Sequence, residues 1–429
     1  MATQLFISGK NWTISLAELI AYLQTRDYKF KIHYFSREFF VLDLEENLDA
    51  AAMEDLGGTI KIGEAKTTLP TETVKEAFLK RNKQAQKQIT QILTQSSIPI
   101  SMTPNKILFG VSLYFTDNSF SPVIGRMHRF VGSSIKNALT SLGKKTNFMG
   151  FSAQRKQAQL SHVEVLKKQL VENKAEVLFC IGKTETWIGT TVAVHNPFEF
   201  QKRDIQKPNQ RVIFAIPPRL ARMMVNLSTC KAEKVLLDPF CGVGTILQEA
   251  LLEGASVVGT DVNPWCVKAA EENLEWLARE YSLGRADFRI LQGDVGAMAP
   301  KVGLESVDCI VSEPDLGPAL REIPTVPYAQ KIIDKLEPLF FVFIQEAYRV
   351  LKPNGRLVLV TPYIKTRSNK PVSMPIQGKL EEIGFKRVCP FSNDMFKSGL
   401  DVDRLVNMSS LVEMDERHKI GREIHILQK

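Results

Sequence analysis

The arrangement of hydrophobic and polar positions divides the chain into two parts with different patterns. From residue 234 to about 390, continuous runs of Val, Ile and Leu alternate with helical stretches, beginning with KVLLDPF and ILQEALLEG. Strands that are apolar on both faces and separated by helices indicate a parallel sheet covered by helices on each side. The pattern predicts an α/β domain with a doubly wound, Rossmann-like sheet, whose ligand lies at the carboxyl ends of the strands.

The first part of the chain carries shorter apolar runs around isolated helices. Residues 1–75 indicate a small α+β domain of ferredoxin-like size, 76–105 a helical linker, and 106–197 a second compact α+β domain. A proline-marked, basic connector over 198–230 leads into the doubly wound domain at 231–429. Several domains are expected, because 429 residues exceed what one core usually organises.

The composition indicates where in the cell the protein is expected and the state of its cysteines. No segment approaches the roughly 18 to 20 apolar residues of a membrane span, and the first residues lack the features of a signal peptide, so a cytoplasmic protein is expected. The cysteines are spread singly, without metal-ligand spacing, at Cys180, Cys230, Cys241, Cys266, Cys309 and Cys389. They are predicted to be reduced core thiols, and no metal site is expected.

The net charge of +8 is a weak indication of nucleic acid, but the distribution of that charge is more informative. All of the positive excess lies between residues 101 and 230. This clustering favours a phosphate-binding surface over an ordinary solvated face. The candidate cations are Lys136, Lys144, Lys145, Arg155, Lys156, Lys202, Arg203, Lys207, Arg211, Arg219 and Arg222. Arg203 and Asp204 are expected to form a structural pair within the connector.

The strongest local motif is DPFCGVGT at 238–245, where a strand meets a glycine turn and then a helix. Gly242 and Gly244 let the backbone approach a ligand where a Cβ would clash, and the start of the helix offers free N–H groups to a carboxylate. Asp261 ends the next strand, where it would accept both hydroxyls of a ribose. Asp294, after the third strand, could hydrogen-bond an adenine amine.

Two ligand classes share these features, a nicotinamide dinucleotide and a sulfonium nucleoside. The third glycine of a dinucleotide fingerprint is absent, because Leu247 stands at its place. Asp238 precedes the turn, where it would repel a pyrophosphate but attract the cationic end of an amino-acid sulfonium. The motif therefore favours S-adenosylmethionine over a dinucleotide.

The fourth strand of this domain ends in Glu313, Pro314, Asp315 and Leu316. In amino-methyltransferases this position holds an acceptor for the target amine and an aromatic that stacks on the base. Glu313 can supply the acceptor. A strand end that is merely capped by proline would leave the same sequence, so both interpretations stay open at this point.

Four segments carry a resemblance to a known family: IGTTVAVHNPFEF, RDIQKP, IPPRLARMMVNL and DPFCGVGT. Together they resemble the THUMP-containing tRNA guanosine N2-methyltransferases, class I enzymes whose members modify guanosine at position 10 of tRNA. The resemblance extends from about residue 100 to 390. It implies a THUMP domain at 106–197 that binds tRNA near the acceptor stem, followed by the methyltransferase domain.

The resemblance also implies roles for single residues. Asp238, Gly242 and Gly244 would surround the methionine part of the cofactor, Asp261 would bind the ribose, and Asp294 would face the adenine. The other residues expected at the cofactor are Phe240, Thr245, Val262 and Val295. The connector that shapes the cofactor pocket would contain Pro217, Pro218 and Asn226.

One departure from the family concerns the catalytic strand, where D-P-P-Y is replaced by EPDL at 313–316. The acceptor is longer, the second proline is gone and the stacking aromatic is missing. A methylene displaces the carboxylate by about 1 Å, and misplacement of that size can cost roughly a hundredfold in rate. Asp315 could replace Glu313 as the acceptor, and Tyr328 or Tyr363 could replace the aromatic.

The sequence thus predicts an S-adenosylmethionine-dependent N2-methyltransferase for a guanosine in tRNA, with Glu313, Pro314 and Asp315 at the catalytic position. No metal is required, because sulfonium is a good leaving group and positioning supplies most of the acceleration. Two alternatives remain. The first is a non-catalytic tRNA-binding protein that retains the cofactor pocket, and the second is a DNA amino-methyltransferase.

Overall fold

The structure, a computed structural model, describes residues 2–102, 106–150, 158–211, 215–284 and 286–429, which fold around two sheets. In the described residues the first sheet comprises β1 (Ala2–Ser8), β2 (Phe30–Phe35), β3 (Phe39–Leu44), β4 (Thr59–Pro70), β5 (Lys106–Phe115), β6 (Lys145–Phe148), β7 (Glu176–Ile181) and β8 (Glu185–Val194). Their order across the sheet is β2-β3-β1-β4-β8-β7-β5-β6. The helices of this part are α1 (Trp12–Thr25), α2 (Ala50–Asp55), α3 (Thr71–Phe78), α4 (Lys83–Gln95), α5 (Ile98–Ser101), α6 (Ile124–Ser141) and α7 (His162–Lys167).

The first sheet runs without a break through the two α+β units predicted from the sequence. β4 and β8 pair antiparallel, from Lys61 opposite Val194 to Pro70 opposite Glu185. Strands of the 1–75 segment and of the 106–197 segment are therefore hydrogen-bonded neighbours. The division into a ferredoxin-like and a THUMP domain stays a prediction, but the two units share one sheet.

The segment expected to be a helical linker contributes to the core instead. Ile89 and Leu93 of α4 are fully buried, together with Phe109 of β5 and Ile135 of α6. The helix has apolar residues at four-residue spacing on one face, and it buries that face against its neighbouring helices α3 and α6. The lysines of this helix, Lys83 and Lys87, are exposed.

The second sheet, in the described residues, comprises β9 (Val235–Asp238), β10 (Ser256–Asp261), β11 (Phe288–Gln292), β12 (Val307–Ser312), β13 (Leu351–Ile364), β14 (Val372–Ser373), β15 (Lys386–Arg387), β16 (Leu411–Glu413) and β17 (Ile420–Gln428). Its main path is β11-β10-β9-β12-β13-β17-β15. The helices are α8 (Pro197–Ile205), α9 (Pro218–Leu227), α10 (Thr245–Leu252), α11 (Pro264–Glu280), α12 (Met298–Val302), α13 (Val326–Val350), α14 (Gln377–Ile383) and α15 (Asp403–Val406). Short 3₁₀ turns occupy Asn118–Val123, Val295–Ala297 and Asn393–Met395.

The strand order separates this sheet from a dinucleotide-binding fold. The first five strands are parallel, as the sequence pattern predicts, and they lie in the order third, second, first, fourth and fifth. A dinucleotide fold continues with a sixth parallel strand. Here the last strand, β17, is inserted antiparallel between β13 and β15. The sequence pattern missed β17, which makes the sheet mixed.

The connector joins the two parts through its second helix. α9 packs against both α1 and α10, and one hydrophobic cluster contains Ile14 of α1, Leu220 of α9 and Ile246 of α10. The first sheet and the methyltransferase-like sheet therefore share a core. Among the described residues, no helix is both long and apolar enough to cross a membrane.

Candidate active site

A tight bend that requires glycine joins β9 to α10. Gly242 and Gly244 have φ values of +51° and +85°, in the left-handed region where a Cβ is unfavourable. A Cβ on Gly244 would lie 3.3 Å from Cβ of Ala270. Among the described residues, a Cβ on Gly242 would come within 4 Å of Nη1 of Arg211 alone, at 3.8 Å. In this part of the structure the bend is therefore open at Gly242, where a ligand can approach the backbone.

Asp261, the last residue of β10, holds its carboxylate against this bend. The Gly242 N–H donates to Oδ2 at 3.0 Å, and the Asn263 N–H donates to Oδ1 at 2.8 Å. A carboxylate accepts about four hydrogen bonds, so each oxygen retains acceptor capacity for a hydroxyl. The predicted ribose acceptor and the predicted cofactor loop are thus in direct contact.

Asp294 and Val295 follow β11 at the same edge of the sheet, but their side chains have different surroundings. Asp294 is exposed, and its Oδ1 accepts the Gly296 N–H at 2.8 Å. Val295 is 5 % exposed and packs in the core with Met298. Val295 can therefore contribute only its backbone to a ligand, whereas the Asp294 carboxylate is accessible.

The other predicted cofactor residues differ in how exposed their side chains are. Val262 is 67 % exposed. Thr245 is buried, and its Oγ1 accepts a hydrogen bond from Nζ of Lys207 at 3.1 Å. Phe240 is half-buried and packs edge-on against Phe343, with ring centroids 5.3 Å apart. The side chains of Thr245 and Phe240 are thus engaged by other parts of the protein.

Asp238 is the buried acid at the centre of the site, and it is only 1 % exposed. Its Oδ1 accepts hydrogen bonds from Oγ of Ser312 at 2.6 Å and from the Phe240 N–H at 3.1 Å. Burial raises the pKa of Asp238 to about 7, and the charges of Asp261 and Glu313 act in the same direction. Converging acids of this kind favour a cationic ligand, which would stabilise the ionised form of Asp238.

Glu313 directly follows β12, and Arg422 of β17 holds its carboxylate. Nη2 of Arg422 donates to Oε1 at 3.1 Å, and Nε donates to Oε2. Nη1 of the same guanidinium donates to Oε2 of Glu413 at 3.2 Å. The side chains of Glu313 and Arg422 are only 10 % and 12 % exposed. Arg422 could not be recognised from the sequence, because nothing in its local segment marks it as a partner of a residue 109 positions earlier.

The residues after Glu313 form a turn. Pro314 is buried, whereas Asp315 is exposed and its Oδ1 accepts the Gly317 N–H at 2.9 Å. Of the two aromatics considered as replacements for the missing stacker, Tyr328 is 52 % exposed on the first turn of α13. Tyr363 is half-buried on β13.

The connector cations expected on a phosphate-binding surface are largely internal. Nε of Arg203 donates to Glu249 at 2.7 Å, and Nε of Arg222 donates to the same carboxylate at 2.9 Å. Arg222 also binds Glu253, and Lys207 is 4 % exposed. The expected Arg203–Asp204 pair is therefore wrong, because Glu249 of α10 is the partner of Arg203.

The remaining candidate cations are in several environments. Lys136, Lys145 and Arg211 are exposed, while Lys202 pairs with Glu280 at 2.5 Å. The other members with partners are Lys144, which donates to the Met102 carbonyl, and Arg219, which donates to the Gly57 carbonyl. Arg155 and Lys156 lie outside the described residues.

Asn226 of the connector hydrogen-bonds to the first part of the chain, which the sequence did not indicate. Its Nδ2 donates to Oε1 of Glu18 at 2.9 Å and to the Asp55 carbonyl at 2.8 Å. Pro217 and Pro218 begin α9, the helix that carries Asn226. The connector motif thus fastens α9 to α1 and α2 of the first part of the chain.

The strand order, the glycine bend and the acid at the end of the second strand together define a Rossmann-like methyltransferase fold. A family model described as an RMKL-like methyltransferase domain matches residues 208–370, and a DNA methylase model matches 61–272. The crystal structure of TrmN from Thermus thermophilus shares the fold of the whole chain, with a TM-score of 0.55, 16 % identity, and coverage of 100 % of this chain and 99 % of that one.

The names of the curated relatives indicate a narrower class of methyltransferase than the family models do. The tRNA (guanine(10)-N2)-dimethyltransferase of Methanothermobacter thermautotrophicus is 34 % identical over 37 % of this chain and 42 % of that protein. The enzyme of the same name from Pyrococcus abyssi is 33 % identical over 41 % of this chain and 47 % of its own length. The U6 snRNA (guanine-N(2))-methyltransferase THUMPD2 of Bos taurus is 35 % identical over 33 % of this chain and 24 % of its length. The chain thus spans less than half the length of these relatives, and the matches confirm its resemblance to the guanosine N2-methyltransferases over that stretch.

Proposed function

We propose that this protein is an S-adenosylmethionine-dependent N2-methyltransferase that acts on a guanosine of structured RNA, at position 10 of tRNA. The observation that carries the proposal is the meeting of four groups at one edge of the second sheet. They are the glycine bend at 242–244, the buried Asp238, Asp261 at the end of β10, and Glu313 at the end of β12. An enzyme acting on tRNA would work in the cytoplasm.

The residues of the site fit S-adenosylmethionine. The open side of Gly242 leaves room beside the backbone, and the first turn of α10 offers N–H groups for the ligand carboxylate. Asp238 is a buried acid suited to the cationic amino-acid end, and the Asp261 carboxylate suits the ribose hydroxyls. Asp294 is accessible to the adenine amine.

The bound cofactor would supply a methyl group on a sulfonium, which needs no covalent activation. Glu313 accepts a hydrogen bond from the exocyclic amine and so orients the nitrogen lone pair toward that methyl group. The same carboxylate can receive the proton that the amine loses. Pro314, which is buried, fixes the start of the loop that presents Glu313.

Two substitutions separate cofactor binding from methyl transfer. Asp261→Ala removes the ribose acceptor, and we expect the heat of S-adenosylmethionine binding to disappear in calorimetry. Glu313→Ala should keep that heat and lose transfer of labelled methyl to tRNA, followed by mass spectrometry of the nucleosides. Unchanged turnover of Glu313→Ala would remove Glu313 from the mechanism, and absence of binding heat in the unmodified protein would overturn the whole proposal.

A DNA amino-methyltransferase is the second candidate, and the DNA methylase model over 61–272 favours it. Only β9 and β10 of the second sheet fall inside that range. Competition between duplex DNA and tRNA for labelled methyl separates the two substrates. If cofactor binds but no methyl reaches either nucleic acid, the non-catalytic alternative holds.

A further inference from the structure

Arg422 contacts the candidate acceptor directly, and we propose that it is a positioning residue that fixes Glu313 for methyl transfer. The inference rests on the proposed function, because positioning matters only if Glu313 receives the target amine. Arg422 lies on β17 and Glu313 follows β12, with β13 running between these two strands. Two interstrand spacings, about 9.5 Å, therefore separate the two strands. The ion pair bridges the strand between them at the carboxyl edge of the sheet.

The length of Glu313 is what permits this bridge. Nη2 of Arg422 lies 3.1 Å from Oε1 of Glu313, near the upper end of good hydrogen-bond distances. An aspartate would withdraw its carboxylate by about 1 Å and lose that contact. The glutamate, which departs from the family's aspartate, and Arg422 therefore form a matched pair.

The paired hydrogen bonds from Nε and Nη2 of Arg422, here called the guanidinium fork, also restrict the rotation of the longer Glu313 side chain. A glutamate has one more rotatable bond than an aspartate, and two parallel N–H···O bonds hold it in one orientation. Glu413 of β16 binds the third guanidinium nitrogen, so that Arg422 is itself anchored. Arg422 uses two of about four acceptor positions on the Glu313 carboxylate, which leaves two for an amine. Glu313 is thus fixed and still able to accept the substrate.

The test compares Arg422→Lys with the double variant Arg422→Gln/Glu413→Gln, which also removes the second buried carboxylate. We expect the double variant to lower kcat at least tenfold, while Kd and KM for S-adenosylmethionine stay within twofold. Arg422→Lys should give an intermediate kcat, because an ammonium keeps the charge but lacks the fork. Arg417→Gln is the matched control, since Arg417 is 86 % exposed in a neighbouring pair with Asp415, and its kcat should not change.

A double-mutant cycle gives a signature that a merely structural pair lacks. Glu313→Asp should lower kcat at least tenfold when Arg422 is present, because the shorter acid cannot reach the fork. It should lower kcat less than threefold in the double-variant background, where there is no fork to reach. If the double variant does not fold, Arg422→Lys replaces it in the same cycle.

Three outcomes would overturn the inference. An unchanged kcat in the double variant would show that Arg422 does not position Glu313. A parallel loss of kcat, cofactor affinity and melting temperature would show a purely structural pair. Absence of methyl transfer by the unmodified protein, with cofactor binding intact, would instead refute the proposed function and remove the inference with it.

Discussion

Asp238 is the residue whose chemistry depends most on its burial. Its sequence context indicated an acid near a cationic ligand, but only the fold shows that it is 1 % exposed with a pKa of about 7. The folded pKa lies above the ordinary value, so the protonated form is stabilised in the fold. That stabilisation is complete below pH 4 and is lost as the pH rises through about 7. A cationic ligand reverses the preference, because it attracts the ionised form.

We therefore expect the affinity for S-adenosylmethionine to rise with pH up to about 7. Below that pH the ligand must displace a proton from Asp238, which weakens binding by up to about tenfold per pH unit. Calorimetry between pH 5.5 and 7.5, in buffers of different ionisation enthalpy, should also detect the released proton. Asp238→Asn should bind more weakly and without this slope, and equal slopes in the two proteins would contradict the role of Asp238.

At the scale of elements, the sequence pattern predicted the strands that lead into the candidate site but missed β17. β9 and β10 are short apolar runs before a glycine bend and an acid, and the structure has them at those places. β17 carries charged and polar side chains at Arg422, Glu423 and His425. Such a strand resembles a loop in the sequence until its neighbours β13, β15 and β16 are known. Arg422, and with it part of the site, could not be found from the local pattern.

The connector helices α8 and α9 each place an arginine on the same buried carboxylate, that of Glu249 on α10. Glu249→Gln would leave Arg203 and Arg222 without their shared charge partner in the interior. Breaking a buried ion pair in this way typically costs about 3 to 5 kcal/mol, and urea unfolding should show a loss of that size. The matched control is Glu275→Gln on α11, whose pair with Arg279 is exposed and should contribute less than about 1 kcal/mol. Equal effects of the two substitutions would contradict the assigned role of Glu249.

At the scale of the whole molecule, net charge located an excess of cations but not their function. Arg203 and Arg222 belong to the basic stretch of the sequence, yet they neutralise acids of the methyltransferase-like part. Composition counts a cation in the same way whether it faces water or a buried carboxylate. The continuous first sheet was not predicted either, because the pairing of β4 with β8 joins segments more than 100 residues apart and leaves no local pattern in the sequence.

The exposed cations that remain allow a sharper prediction about RNA binding. Lys136 on α6 and Lys145 on β6 are both exposed in the unit predicted to be a THUMP domain. If each contacts a phosphate, changing it to Gln should reduce the slope of log K against log salt for tRNA by about 0.7 to 0.9, because fewer counterions are released. Lys268→Gln on α11, at 78 % exposure, is the matched control and should leave the slope unchanged. All three substitutions change the net charge equally, so an effect of overall charge alone would not distinguish these lysines. Equal slopes for the three variants and the unmodified protein would show that RNA does not bind at α6 and β6.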